Sequence, residues 1–321
     1  MSMLYLTEKE VRDLLPMAES IRLMQTIFER LAGGEALNQP RRRLFLPTGS
    51  VLHYMAGSDG RYYGAKIYAT NPKFGAHFLF LLYRAADAEP LALMEANYLG
   101  QIRTGAASGL ATRYMAREDA AVLAMIGSGF QARTQIEAML AVRKIRETRV
   151  WSRMATKREA FAAETSEHLG TVVRAVETAE QAVRGADIVV TATYAKEPVL
   201  SADWVDPGAH INAMGSNQAG RREIPTELVQ RADVIAVDSI EQARMESGDL
   251  LLAFEEADWS GPRLVELKDV VTGRTLARTQ RAQVTLFKSN GLAAEDVIAA
   301  GFVYEHALAT GAGVPLGAPH S

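Results

Sequence analysis

The spacing of apolar and polar residues changes character along this chain. From residue 121 the run Ala-Val-Leu-Ala-Met-Ile is apolar without alternation, breaks at Gly127-Ser128-Gly129, and gives way to a helical period over 131–144. A short continuous apolar run suits a strand buried on both faces. Further β-rich runs lie at 149–153, 171–176, 187–193, 210–215 and 233–238, with helical patterns at 177–185 and 223–231 among them. Strands alternating with helices predict an α/β fold built on a doubly wound parallel sheet. The first part of the chain reads differently. Thr7 and Glu10 frame a capping box, 18–32 carries one apolar face and stops at Gly33-Gly34, and 42–46, 50–56, 62–68 and 78–84 read as strands of an antiparallel sheet.

These two patterns divide the chain. Residues 118–287 form the predicted parallel-sheet domain, and 1–117 with the tail 288–321 are left to supply a substrate site. At 321 residues and 48% apolar, the chain can bury more than one core. A net charge of −3 gives no basic footprint and argues against a nucleic-acid partner. The absence of cysteine removes disulfides, thiolate nucleophiles and thiolate metal sites. No apolar run approaches a membrane span and the first ten residues include the charged Glu8, Lys9 and Glu10, so a cytoplasmic protein with no membrane partner is expected. His53, His77, His168, His210, His306 and His320 are scattered without helical metal spacing, and no metal is expected.

The glycine run carries the first chemistry. A strand, a G-x-G-x-x-A turn and a helix start form the usual cradle for a dinucleotide pyrophosphate. Gly127 allows the turn, Gly129 lets the backbone approach phosphate, and Ala132 lets helix and strand pack. Phe130 and Gln131 open the helix. Where a carboxylate would bind the adenosine ribose of NAD, the chain has Ser152 and Arg153, with Lys157 and Arg158 behind. A guanidinium pairs with a 2′-phosphate that a carboxylate repels, so NADP is preferred, with NAD possible. The alternative is that these cations decorate a solvated helix start. Ligands lie beyond the C-terminal ends of such strands, which points to Thr191 and Thr193, and to Met214, Gly215 and Ser216, for the nicotinamide half.

Lys66 and Arg103 carry the second. Lys66 lies in an apolar strand between Ala65 and Ile67, where burial would cost energy and lower its pKa unless an anion compensates. A desolvated lysine can serve as a general acid, and the alternative is a lysine on a solvated sheet face. Arg103 reads as the start of a long small-residue helix, where a cation opposes the helix dipole unless an anion lies between. His77 borders the Phe78 strand and is either a pocket residue or an ordinary surface or core histidine.

At these residues the chain resembles the ornithine cyclodeaminase and mu-crystallin family. The resemblance runs through Gln39-Pro40-Arg41-Arg42, Gly64-Ala65-Lys66, Ile102-Arg103-Thr104-Gly105-Ala106-Ala107-Ser108 and the glycine loop to Gly208-Ala209-His210-Ile211-Asn212-Ala213-Met214-Gly215. It continues in Glu246-Ser247-Gly248-Asp249 and Phe287-Lys288-Ser289-Asn290-Gly291 with Glu295-Asp296. It implies a Rossmann domain inserted into a discontinuous α+β substrate-binding and dimerisation domain, hence a homodimer. It places Arg42, Lys66 and Arg103 on a substrate carboxylate, Lys66 also in proton transfer, and Gly127, Gly129, Gln131, Ser152, Arg153, Thr191, Thr193, Met214 and Leu292 on the cofactor. Among Arg41, Arg42 and Arg43 the register is ambiguous. Cyclodeaminases acting on ornithine have an aspartate where this chain has Asn217, which argues against that cyclisation, and the connection 68–77 is shorter than theirs. The resemblance therefore implies an NAD(P)H-dependent oxidoreductase that reduces a ketimine to an L-amino acid, or runs the reverse oxidative deamination. Its rivals are an NAD-recycling cyclodeaminase and a non-catalytic binding protein.

Overall fold

A computed structural model of the chain describes residues 3–317. Its contacts divide it into two units, Met1–Arg103 with Gly291–Ser321, and Thr104–Asn290. The first boundary falls inside the helix Asn97–Met115, earlier than 117/118. The second falls after Asn290, so Lys288, expected at the start of the tail, instead ends a strand of the second unit. His320 lies outside the described residues.

In the first unit the strands are β1 (Leu4–Leu6), β2 (Leu37–Asn38), β3 (Arg42–Phe45), β4 (Val51–Ser58), β5 (Tyr62–Asn71), β6 (Gly75–Arg84) and β7 (Pro90–Glu95). With a final short strand, Val314–Pro315, they make one eight-stranded sheet in which β7, β6, β5 and β4 are neighbours and β3 pairs with β4. The pairs from β3 to β7 are antiparallel. Thr7 closes its capping box with Glu10, an arrangement that stabilises a helix start by about 1 kcal/mol. The helix Met17–Gly33 buries Ile21, Met24, Ile27 and Phe28 and ends on left-handed Gly34 at φ 77°. β5 and β6 run on to Asn71 and from Gly75, so most of 68–77, read above as a connection, is paired strand.

Period-two alternation gives this sheet two faces. Arg41 precedes β3, whose Arg43 stands opposite His53, and across β4, β5 and β6 the set Met55, Lys66 and Phe80 lies in register on the same face. The helix Ala293–Thr310 packs over β4, β5 and β6 there. Its approach is close: a Cβ on Gly57 would sit 2.6 Å from the Ala294 amide nitrogen. The opposite face carries Arg42, Tyr54, Ile67 and Leu79 in one cross-strand row, and Leu44, Leu52, Ala69 and His77 in the next.

The second unit is a parallel sheet of β8 (Val122–Ile126), β9 (Glu147–Trp151), β10 (Val173–Ala175), β11 (Ile188–Thr191), β12 (His210–Ala213), β13 (Val234–Val237), β14 (Leu264–Glu266) and β15 (Thr285–Lys288). Their order is β10-β9-β8-β11-β12-β15-β13-β14. β11 and β12 are buried along their whole length, as strands covered on both faces must be. Each fully buried Val, Ile or Leu contributes about 1.5–3 kcal/mol. The order reverses between β8 and β11, the switch point beside which doubly wound sheets bind ligands. Among the described residues no helix is long and apolar enough to cross a membrane.

Candidate functional site

The loop leaving β8 and the loop leaving β11 line one cleft of about 680 Å³ in the second unit. Gly127, Ser128 and Gly129 form one wall, Trp151, Ser152 and Arg153 a second, and Thr193, Tyr194, Lys196 and Arg221 a third. Gly127 is at φ 117°, and a Cβ there would stand 2.4 Å from the Ala192 carbonyl, so only glycine suits this turn. Gly129 differs: a Cβ on it would meet no protein atom within 4 Å. No packing excludes a side chain at that position, and its bareness leaves the backbone open to something outside the protein. The Ser128 hydroxyl donates to Ser152 at 2.8 Å, joining the glycine loop to the end of β9. Arg221 stacks on Tyr194 with its guanidinium carbon 3.9 Å from the ring centre. A glycine-lined cradle with serine and arginine at the end of β9 fits a dinucleotide.

The other sequence-derived cofactor residues distribute unevenly. Thr193 lines the cleft, whereas Thr191 is fully buried and its hydroxyl donates to Glu223 at 2.8 Å. Thr191 is therefore removed from direct contact, because the last residue of β11 points into the protein. Phe130 is 56% exposed, and Gln131 stands before the helix Ala132–Val142 without a side-chain capping bond, its side-chain oxygen buried. Lys157 is exposed on the helix Ala155–Leu169. Met214 is buried, and Asn217 is half-buried in the loop after β12. The Gly215 amide donates to Glu223 at 2.7 Å. Leu292 belongs to the first unit, buried at the residue before the tail helix.

Glu223 is the residue sequence reasoning missed in this unit. Its carboxylate accepts from the Thr191 hydroxyl, the Thr193 amide and hydroxyl, and the Gly215 amide, at 2.6–2.8 Å. Burial, then the nearby Asp249 carboxylate, raise its pKa, and the Thr193 bonds oppose them. Asp249 accepts from the Glu223 and Ile224 amides and pairs with Lys288 at 3.0 Å. All three charged side chains are fully buried.

The first unit holds a cluster of ions. Lys66 on β5 is 3% exposed, and its ammonium donates to both Asp296 oxygens at 3.0 and 3.2 Å. Arg103 donates through Nε to Asp296 at 3.0 Å and through Nη1 to Glu295 at 2.7 Å. Two glycines make room: a Cβ on Gly100 would be 3.0 Å from Lys66 Nζ, and one on Gly291 would be 2.4 Å from Arg103 Nη1. Burial lowers the Lys66 pKa to about 8, with Arg103 and then Arg41 adding to it against the pull of Asp296. Burial works against the Arg103 charge, and Asp296 and Glu295 overcome it and hold the guanidinium protonated.

Three sequence expectations change here. Arg41, 4% exposed, is the arginine beside Lys66; its guanidinium reaches Met55 Sδ at 3.7 Å and the Gly291 carbonyl at 3.5 Å. Arg42 stands opposite Tyr54 on the other face and is exposed, because neighbouring strand residues point opposite ways. His77, opposite Ala69, lies on that outer face too and not beside Lys66. Arg103 is the seventh residue of the helix Asn97–Met115, whose first amides bond Glu8, so its anions are side chains and not a ligand at a helix start. Glu295 and Asp296 belong to the matching segments, but nothing in the sequence set them against Lys66 and Arg103. Among the described residues no cluster of three or more His, Asp or Glu could hold a metal.

Among solved structures the chain is similar to nicotinamide-dependent reductases and dehydrogenases. The Thermococcus litoralis Delta(1)-pyrroline-2-carboxylate reductase, solved in complex with NADH and L-proline, superposes with a TM-score of 0.93 at 34% identity, over 98% of this chain and 100% of that one. An archaeal alanine dehydrogenase dimer with bound NAD gives 0.91 at 32% identity, over 99% of both chains. Delta(1)-pyrroline-2-carboxylate reductase of Bacillus cereus is 40% identical over 226 residues, 70% of this chain and 69% of that one. Residues 1–311 match the ornithine cyclodeaminase/mu-crystallin family, and the chain belongs to it.

Proposed function

We propose that this protein reduces a ketimine bearing a carboxylate to the corresponding L-amino acid, at the expense of NAD(P)H. The observation that carries the reading is the buried Lys66–Asp296–Arg103–Glu295 cluster, which offers a proton donor and a guanidinium edge side by side. Relatives named as reductases of Delta(1)-pyrroline-2-carboxylate support the same reaction class. The substrate carboxylate lies on Arg103 and Arg41, and the imine nitrogen takes a proton from Lys66 as hydride reaches the adjacent carbon. A bound reduced nicotinamide supplies that hydride. The protein's contribution is orientation and charge: fixed cations face the carboxylate, and a lysine poised near neutrality holds the proton.

The test is cofactor oxidation with Delta(1)-pyrroline-2-carboxylate, its six-membered homologue, and pyruvate with ammonia or methylamine. Proline formed from ornithine without net cofactor oxidation would replace the reductase reading by the cyclodeaminase one. Arg41 and Arg42 separate in the same assay. Arg41→Ala raises KM for the imine about tenfold or more, the usual loss for a charged hydrogen bond, while Arg42→Ala leaves it within about twofold.

The preference for NADP belongs to the same proposal and rests on Arg153 at the cleft wall, with Lys157 behind it. Arg153→Ala raises KM for NADPH about tenfold and leaves KM for NADH nearly unchanged; equal changes for both cofactors would remove Arg153 from phosphate recognition. We place the protein in the cytoplasm as a homodimer. The outer face of the first sheet, with Tyr54, Ile67 and Leu79 each more than two-fifths exposed, is the surface a second copy would cover, and sedimentation reads the oligomeric state directly.

A further inference from the structure

We infer that Glu223 is the positioning residue for the nicotinamide half of the dinucleotide site, tying the loops that follow β11 and β12 into one wall. This rests on the dinucleotide reading of the cleft and goes beyond it, since Glu223 lines no part of that cleft.

Farther out the two loops are joined by the Val199 amide donating to the Glu223 carbonyl at 2.8 Å and by Arg221 Nη1 donating to the Tyr194 carbonyl at 3.0 Å, and next to the strand ends the carboxylate supplies the link. One oxygen takes the Thr193 amide and hydroxyl, both at 2.6 Å. The other takes the Thr191 hydroxyl at 2.8 Å and the Gly215 amide at 2.7 Å. Four donors on two oxygens use a carboxylate's full accepting capacity and leave no position for a neutral side chain of the same shape. The fit is also steric. A Cβ on Gly215 would stand 2.4 Å from Glu223 Oε1 and 2.2 Å from the Thr193 carbonyl, so the second loop is drawn against the first as closely as backbone allows. Contact continues toward the cleft, because a Cβ on Gly127 would strike the carbonyl of Ala192, the residue before Thr193.

The carboxylate is itself held from behind. Asp249 accepts from the Glu223 and Ile224 amides at 2.6 and 3.0 Å and pairs with Lys288, whose ammonium also donates to the Ser216 carbonyl at 2.5 Å. Lys288 thus grips the loop after β12 one residue beyond Gly215. A chain of buried charges from Lys288 through Asp249 to Glu223 reaches the Thr193 amide. Since Thr193 and Ala192 line the cleft, their placement is where this network meets the ligand.

Glu223→Gln tests the assignment without changing side-chain shape. An amide has one accepting oxygen, so whichever way it turns, either the Thr193 or the Gly215 N–H faces an amino group. The hydroxyls can rotate away, but a backbone N–H cannot. Wild type and variant are titrated calorimetrically with NADH and with ADP-ribose, which is NAD without its ring. The expected result is an NADH Kd raised about tenfold with the ADP-ribose Kd moved less than twofold. Equal losses for both ligands, or no loss for either, would overturn the assignment. Should Glu223→Gln fail to fold, Thr193→Val, which deletes only one hydroxyl donor, must give the same split at smaller size; equal changes there would also overturn it. Wild type that binds neither ligand would instead remove the dinucleotide reading, and Glu223's role with it.

Discussion

Lys66→Met will lower kcat for imine reduction by about a hundredfold to ten-thousandfold, the range a positioned general acid supplies, while the Kd for NADPH stays within about twofold. The variant keeps the fold for a reason visible in the cluster. Asp296 loses the ammonium but retains the Arg103 Nε bond at 3.0 Å, so no carboxylate is stranded. Methionine also fills the stem's volume in a site where burial already opposes the lysine's charge. Tm therefore moves little, and the loss of turnover cannot be assigned to unfolding. The pH profile supplies the sign. Lys66 must be protonated to donate, its pKa is lowered to about 8, and the reductive rate in wild type therefore falls as pH rises through about 8. In the oxidative direction the neutral amine is needed, and the rate rises over the same interval to a plateau. Lys66→Arg removes the limb because a guanidinium does not titrate there. A Lys66→Met enzyme that retained its rate, with the limb in place, would take the proton donor away from this residue.

The two chemistries of the chain were not equally legible. The dinucleotide loop is local: a strand, a turn that needs Gly127 and a helix follow one another within a few residues, and Ser152 and Arg153 lie at the next strand end. Nothing distant is needed to read it. The cation cluster is assembled from β5, the helix Asn97–Met115 and the tail helix, with Lys66 and Asp296 separated by 230 residues. Sequence could flag Lys66 as costly without saying what lay above it. Three consecutive arginines left the face undecided, since a slip of one residue reverses which side chain is buried. The pairing of Arg42 with Tyr54 decides it for Arg41. The start of the helix Asn97–Met115 was misplaced because its small residues give no amphipathic rhythm and its first amides are capped by Glu8, 89 residues earlier. Glu223 escaped for the same reason, its partners Thr191 and Thr193 lying 32 and 30 residues upstream, at the end of β11 and in the loop after it.

Arg103→Met is the substitution with the larger structural effect, and it fails differently from Lys66→Met. Arg103 pairs with Glu295 and shares Asp296 with Lys66, and both carboxylates are fully buried. Breaking such a buried network by removing one member costs about 3–5 kcal/mol. For a domain of this size the corresponding fall in Tm is on the order of 10 °C. Methionine fills the volume but offers no N–H to either acid. Catalytically the variant loses the guanidinium on which the proposed reaction places the substrate carboxylate, and KM for the imine is expected to rise about a hundredfold. Arg103→Lys restores part of the stability, since an ammonium still balances charge. It does not restore KM, because a point charge cannot span Glu295, Asp296 and a ligand as the planar guanidinium does. Separate recovery of the two readouts is what a residue with both duties requires, and joint recovery by lysine would reduce Arg103 to a counter-ion for the tail helix.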